Sequence, residues 1–135
     1  MDRLFLDANV LFSAAYREDA GLARFWKLNV ELLTSAYAVE EARVNLYDDA
    51  QRSRLAGLVS GIEVISNTSS GPLPSGVDLP EKDWPILLSA IQSRATHLIT
   101  GDKADFGRYF GNTIAGIIIL SPAAYLRSRR TRRLD

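Results

Sequence analysis

Four acidic positions in this 135-residue chain have the types and spacing to do chemistry together: Asp7, the pair Glu40-Glu41, Asp83 and Asp102. Asp7 and Asp102 follow apolar runs, Glu40 and Glu41 lie on a helix after the second run, and Asp83 lies at the start of another helix. Singly, each has a structural explanation. Asp7 suits a turn, Asp83 suits the cap of a helix that Pro85 starts, and Asp102 with Asp105 resembles a capping box. Jointly they repel, because two unit charges about 4 Å apart cost on the order of 4 kcal/mol at an effective dielectric of 20. A cation relieves that cost. The chain has no cysteine and one histidine, and an all-oxygen donor set favours Mg²⁺ or Mn²⁺ over zinc.

The elements that must bring these acids together are set by hydrophobic patterning. Leu4 to Leu6 reads as a buried parallel strand ending at Asp7, with Asn9 placed to cap or support the next helix. Helices are predicted over 10–16 and 21–28, a second strand over 31–34, and helices over 36–47 and 50–60. A third strand at 62–65 runs into a long Ser/Gly/Asn/Pro-rich loop over 66–80. Pro85 starts a helix with Ile86, Leu87, Ala90 and Ile91 on one face. A strand over 97–100, a short helix over 103–110 and a fifth strand over 117–120 come after it. A helix over 122–129, with Pro in its first turn, closes the chain. Strands alternating with helices predict a single-domain, three-layer α/β/α fold around a central five-stranded parallel sheet. Ligands bind at the carboxyl ends of such strands, which is where Asp7 and Asp102 fall.

Helix phase separates the glutamates. Val39, Ala42 and Leu46 define a buried stripe, and at 100° per residue Glu41 lies nearer to it than Glu40 does. Asn45, one turn on, is placed to orient the Glu41 carboxylate. Glu40 faces solvent.

Composition bounds the rest. A hydrophobic share of 47% and a charged share of 24% describe an ordinary globular domain, and no apolar run approaches membrane-spanning length. A cytoplasmic location is therefore expected. The formal net charge of zero hides an asymmetry. The last nine residues hold five of the 16 basic side chains and one of the 16 acidic ones, which leaves 11 against 15 in the body, about −4. The chain divides accordingly into a domain over 1–126 and an Arg-rich tail over 127–135, either a frayed terminus or a phosphate contact. His97, at the start of a strand, reads as structural. Trp26, Trp84 and the tyrosines read as packing residues rather than base-stacking platforms.

Five segments, in order and across nearly the whole chain, resemble a known family. They are Leu4-Phe5-Leu6-Asp7-Ala8-Asn9-Val10-Leu11, Ser35-Ala36-Tyr37-Ala38-Val39-Glu40-Glu41 and Lys82-Asp83-Trp84-Pro85, then Leu98-Ile99-Thr100-Gly101-Asp102-Lys103-Ala104-Asp105-Phe106 and Ile119-Leu120-Ser121-Pro122-Ala123-Ala124-Tyr125-Leu126. Together they are similar to the PIN domain. The resemblance implies a metal-dependent nuclease, usually acting on RNA, with the family's acids at Asp7, Glu41, Asp83 and Asp102 and supporting positions at Thr100 and Asp105. It implies that the first and fourth strands are neighbours. Many small members are toxins of bacterial toxin–antitoxin pairs, so an antitoxin protein and a second copy of the chain are the partners to consider beside RNA. The Arg-rich tail departs from the family core.

On this reading Asp7 and Asp102 ligate Mg²⁺ or Mn²⁺ directly. Glu41 and Asp83 act through water or complete a second site, and Thr100 hydrogen-bonds a ligand or phosphate. Basic groups around the acids must supply the affinity for RNA: Arg3, Arg43, Lys82, Lys103, Arg108 and the tail. Two other classes compete. One is a catalytically silent module that uses the same fold to bind a basic partner or nucleic acid. The other is a phosphotransfer receiver, which needs an aspartate after the third strand where this chain has Ser66-Asn67.

Overall fold

The structure is a computed structural model that describes residues 1–66 and 70–134, with side chains described as far as residue 131. Part of the expected 66–80 loop, including Asn67, lies outside the described residues, as do Asp135 and the side chains of Arg132 and Arg133 in the basic tail. The strands are β1 (Arg3–Leu6), β2 (Glu31–Ser35), β3 (Glu63–Ile65), β4 (His97–Ile99), β5 (Thr113–Ile114) and β6 (Ile117–Leu120). They form one sheet in the order β3-β2-β1-β4-β6-β5. Every pairing is parallel except β5 with β6. As the resemblance implies, β1 and β4 are neighbours, with Phe5 opposite Leu98.

The sheet therefore has six strands where five were expected, and it is mixed rather than wholly parallel. The extra strand is half of a tight hairpin whose two loop residues, Ala115 and Gly116, have φ of 51° and 84°. Positive φ at both positions marks the hairpin turn that twists with the strands, and its usual sequence signal is Asn-Gly or Asp-Gly. Ala-Gly carries half of that signal.

Central strands covered on both faces read as continuous hydrophobes, and Leu4, Phe5, Leu6, Leu98 and Ile99 are fully buried. The helices are α1 (Ala8–Ala15), α2 (Ala36–Val44), α3 (Asp49–Ser60), α4 (Trp84–Gln92), α5 (Lys103–Phe106) and α6 (Pro122–Leu134). To the core α1 contributes Val10, Leu11, Ala14 and Ala15, and α4 contributes Ile86, Leu87 and Ala90. Residues Gly21–Lys27 wind as a 3₁₀ helix rather than the expected α-helix; it buries Phe25, which stacks on Tyr125 at 5.9 Å between centroids. The α2 helix stops at Val44 rather than Tyr47 because the Asn45 amide donates to the Glu41 carbonyl at 2.8 Å, satisfying a group the last turn leaves open. Residues 107–109, expected to continue α5, form a 3₁₀ turn.

One edge of the sheet organises the site. Asp7 directly after β1, Ser35 at the end of β2, Asp102 three residues past β4 and Ser121 directly after β6 each cap a helix there. Asp7 accepts from Ala8 N–H, Ser35 from Ala38, Asp102 from Asp105 and Ser121 from Ala124. Small polar caps at strand ends thus aim four helix N-termini at the carboxyl edge. The last of these, α6, runs away from that edge. Its Tyr125 hydroxyl donates to Asp2 at 2.6 Å, beside the start of β1. Residues 127–134 lie further along the same helix, which extends beyond the expected end at Arg129.

Candidate active site

Asp7 is held before anything binds to it. Burial leaves the residue 3% exposed, and its two oxygens are shared among three donors. One accepts the Ala8 N–H at 2.7 Å; the other accepts the Thr100 hydroxyl at 2.8 Å and the Asn9 amide at 3.2 Å. The Thr100 hydroxyl in turn accepts from Asp102 N–H at 3.1 Å, and the Asn9 carbonyl accepts from Gly101 N–H at 2.8 Å. Thr100 and Asn9 therefore tie the end of β1 to the turn that carries Asp102. Gly101 makes this approach possible: a Cβ there would sit 3.3 Å from the Asn9 Oδ1. Burial pushes the Asp7 carboxyl up to about 6, against the lowering effect of its Thr100 and Ala8 bonds.

Across the cleft, Asp83 closes the 3₁₀ turn Glu81–Asp83 and precedes α4. Its side chain makes no capping bond, which removes the structural explanation available for it in the sequence. Its Oδ2 is buried without a hydrogen-bond partner; the Lys82 ammonium, 3.7 Å away, offers charge but no bond. Burial, with the neighbouring Asp105 carboxyl next in size, raises Asp83 to about 7. Asp105 shifts the opposite way, its carboxylate favoured by a hydrogen bond from the Asp83 acid and by Lys82 at 3.1 Å. Near neutrality one proton is therefore held on Asp83 while Asp105 is ionised.

Asp83, Asp102 and Asp105 each offer an oxygen within 4.8 Å of the others. Asp7, Glu41, Asp83 and Asp102 line one cleft of about 440 Å³, together with Asn9, Phe12, Asn45, Tyr47 and Lys82. Five carboxylates, one of them with a buried oxygen lacking a partner, suit a hard divalent cation. Asp7 and Asp102, expected as direct ligands, both line the cleft, as does Glu41. The ligand-spaced trio joins Asp102 to Asp83 and Asp105.

The supporting residues divide. Thr100 and Asn9 are central, and Glu40 faces solvent as expected, paired with Arg43 at 2.6 Å. That pairing removes Arg43 from the cleft, whose lining does not include it. Asn45 does not orient the Glu41 carboxylate: its amide is committed to the Glu41 main-chain carbonyl, the nearer acceptor one turn back. Lys82 lines the cleft but serves as counter-ion to Asp105 and Asp83. Arg108 lies 3.9 Å from Asp78 with its guanidinium 5.8 Å from the centroid of the Tyr109 ring, and the exposed Lys103 ammonium forms no ion pair among the described residues. Arg3 begins β1 at the opposite edge of the sheet, paired with Glu31 and Glu63. His97 is buried there against the Thr96 hydroxyl and the Tyr125 ring.

Two aromatic residues overturn the expectation that the tyrosines pack. Trp26 and Trp84 do anchor by indole N–H bonds to the Leu58 and Leu79 carbonyls. Tyr47, however, is 86% exposed at the cleft wall, and Tyr16 is 53% exposed. Helix periodicity placed Tyr47 inside α2. The Asn45 turn, which sends Leu46 into the core and Tyr47 outward, is what exposes it.

No protein-family model matches the chain, and no curated protein does. Among solved structures, the chain is similar to a chain of VapBC2 from Rickettsia felis, bound to a DNA fragment from their promoter. The likeness has a TM-score of 0.66 at 20% sequence identity, and covers 88% of this chain and 98% of that one. At that identity the likeness shows the fold alone. The fold of this chain is that of a PIN domain.

Proposed function

We propose that the chain is a Mg²⁺- or Mn²⁺-dependent endoribonuclease that hydrolyses RNA phosphodiester bonds, and that it acts as the toxin of a toxin–antitoxin pair. The observation that carries the reading is the Asp83–Asp102–Asp105 cluster, with its unpartnered buried Asp83 oxygen, of which Asp83 and Asp102 line one cleft with Asp7 and Glu41. VapBC2, the structural neighbour, is a toxin–antitoxin complex whose VapC toxin is a PIN domain, which supports the assignment of partner and activity.

Asp83, Asp102 and Asp105 would hold the ion, with Asp7 and Glu41 completing its surroundings. The chemistry supplied by a bound Mg²⁺ or Mn²⁺ is polarisation of a phosphoryl oxygen and a lowered pKa for water. The chain's own groups do the rest. Thr100 and Asn9 fix the Asp7 carboxyl in one orientation, so no reorganisation is needed when the substrate arrives. With a carboxyl poised at about 6, Asp7 can accept a proton near neutrality. Lys82 screens the cluster and places a cation beside an otherwise anionic cleft that must admit phosphate.

The test is cleavage of a panel of single-stranded and structured RNAs with Mg²⁺, Mn²⁺ or chelator, run beside calorimetric titration of Mn²⁺. Cleavage that chelator abolishes and Asp102→Asn removes supports the reading. One observation favours a silent binding module instead: the Lys82 ammonium already sits on two of the three clustered acids. Absence of Mn²⁺ binding together with absence of cleavage would decide for that alternative.

A further inference from the structure

The carboxylates account for one wall of the cleft. The other wall is apolar, built from Ala8, Phe12, Ala42 and Tyr47. Tyr47 is the odd member. A large aromatic ring that is 86% exposed loses the hydrophobic stabilisation that burial would give it, and it sits in a turn where the chain has just buried Leu46 beside it. Phe12 belongs to two cavities. It closes the acidic cleft on one side and opens on the other into a groove of about 400 Å³ lined by Ser13, Tyr16, Arg17 and Leu22. Within that groove the Phe12 and Tyr16 rings lie 5.4 Å apart. An aromatic path thus leaves the carboxylates at Tyr47 and Phe12, continues over Tyr16, and ends at a cation, Arg17, which pairs loosely at 3.4 Å with the 87%-exposed Asp19 side chain.

Resting on the nuclease reading above, we propose that Tyr47 and Phe12 form a stacking subsite for an unpaired nucleobase beside the phosphate to be cut. The chain then selects single-stranded over duplex RNA. The alternation of the surface fits a strand of nucleic acid: acids for a phosphate held by a cation, the exposed Tyr47 ring and the half-buried Phe12 ring for a base, and a further cation for a flanking phosphate. Every base has a π-face, so such a subsite is tolerant of sequence, whereas a base locked in a duplex has both faces covered by its neighbours. Asp48, next to Tyr47, is committed to capping α3 through Ala50 N–H, at 2.6 Å.

The test uses the intact chain and a 12-nucleotide RNA supplied as a single strand or as a perfect duplex. Tyr47→Trp places a reporter at the subsite; its emission is expected to be quenched by the single strand and not by the duplex, in Mg²⁺ and within the first seconds of mixing. Tyr47→Ala is expected to weaken single-strand binding roughly tenfold or more, while Tyr47→Phe binds as wild type and Mn²⁺ affinity is unchanged in all three. Equal quenching by both RNAs, or Tyr47→Ala binding the single strand as tightly as wild type, overturns the subsite even if cleavage is robust. Quenching by the single strand without any cleavage upholds the subsite while the nuclease reading fails. A reporter that responds only to a basic peptide, and to neither RNA, assigns the wall to a protein partner and overturns the proposal.

Discussion

Asp83→Asn should stabilise the metal-free protein at alkaline pH and leave it unchanged at acid pH. The Asp83 carboxyl is 7% exposed, its Oδ2 lacks a partner, and burial beside Asp105 holds it at about 7 against 3.8 in a free chain. A raised carboxyl means that the folded state holds the proton more tightly than the unfolded state. The stabilisation is fully present below about 3.8 and is lost as pH climbs through about 7. Three pKa units correspond to about 4 kcal/mol at pH 8. Asp105, shifted down by the same contact, returns part of this, so the difference between variant and wild type should be roughly 2 to 4 kcal/mol at pH 8. Asparagine keeps the shape without the ionisable group, and no capping bond is lost because Asp83 makes none. Urea midpoints from pH 4.5 to 8.5 in chelator measure it, and taking the difference between the two proteins cancels Asp7, which titrates in the same range. Parallel profiles would mean that Asp83 is ionised at no cost, and the account of a strained, metal-hungry acid would fall.

Asp102→Asn should retain the α5 cap, since asparagine caps about as well as aspartate, yet lose cleavage and most of the thermal stabilisation that Mn²⁺ gives wild type by mass action; full cleavage by the variant would reduce Asp102 to a cap. Gly101→Ala should cost about 1 kcal/mol in chemical denaturation, because its Cβ meets the Asn9 Oδ1 at 3.3 Å and loosens the bond tying α1 to the Asp102 turn. Replacing Arg127 and Arg130 with Gln should leave the binding of an eight-nucleotide RNA and its salt dependence unchanged, since α6 carries them away from the cleft. With RNA long enough to reach the opposite edge, the same change should lower the salt slope by about one per arginine in contact. Ala115→Asn should raise stability by about 0.5 to 1 kcal/mol, because asparagine tolerates the φ of 51° at the hairpin turn better than alanine.

What was legible in the sequence was whatever local chemistry decides. Leu4-Phe5-Leu6 reads as a buried strand, and the small polar residues at or just past the ends of the first and fourth strands are suited to cap the next helix. Those two facts alone put Asp7 and Asp102 on one edge of the sheet. Glu41 over Glu40 came from 100° of rotation, and the Glu40–Arg43 pair shows the outer face of that helix to be solvent-facing. What was not legible depends on distances between segments far apart in the chain. The sequence spacing of Asp83 and Asp105 says nothing of their contact; it arises because α4 and α5 both begin at the carboxyl edge, and only there do the two acids meet beside the Lys82 ammonium. Asn45 departs from its expected role because a side-chain amide four residues after a glutamate has two acceptors within reach, and the open carbonyl at the helix end takes it. That single bond ends α2, turns Leu46 in and Tyr47 out, and so gives the cleft its aromatic wall. The residue expected to tune an acid instead shapes the surface opposite the acids.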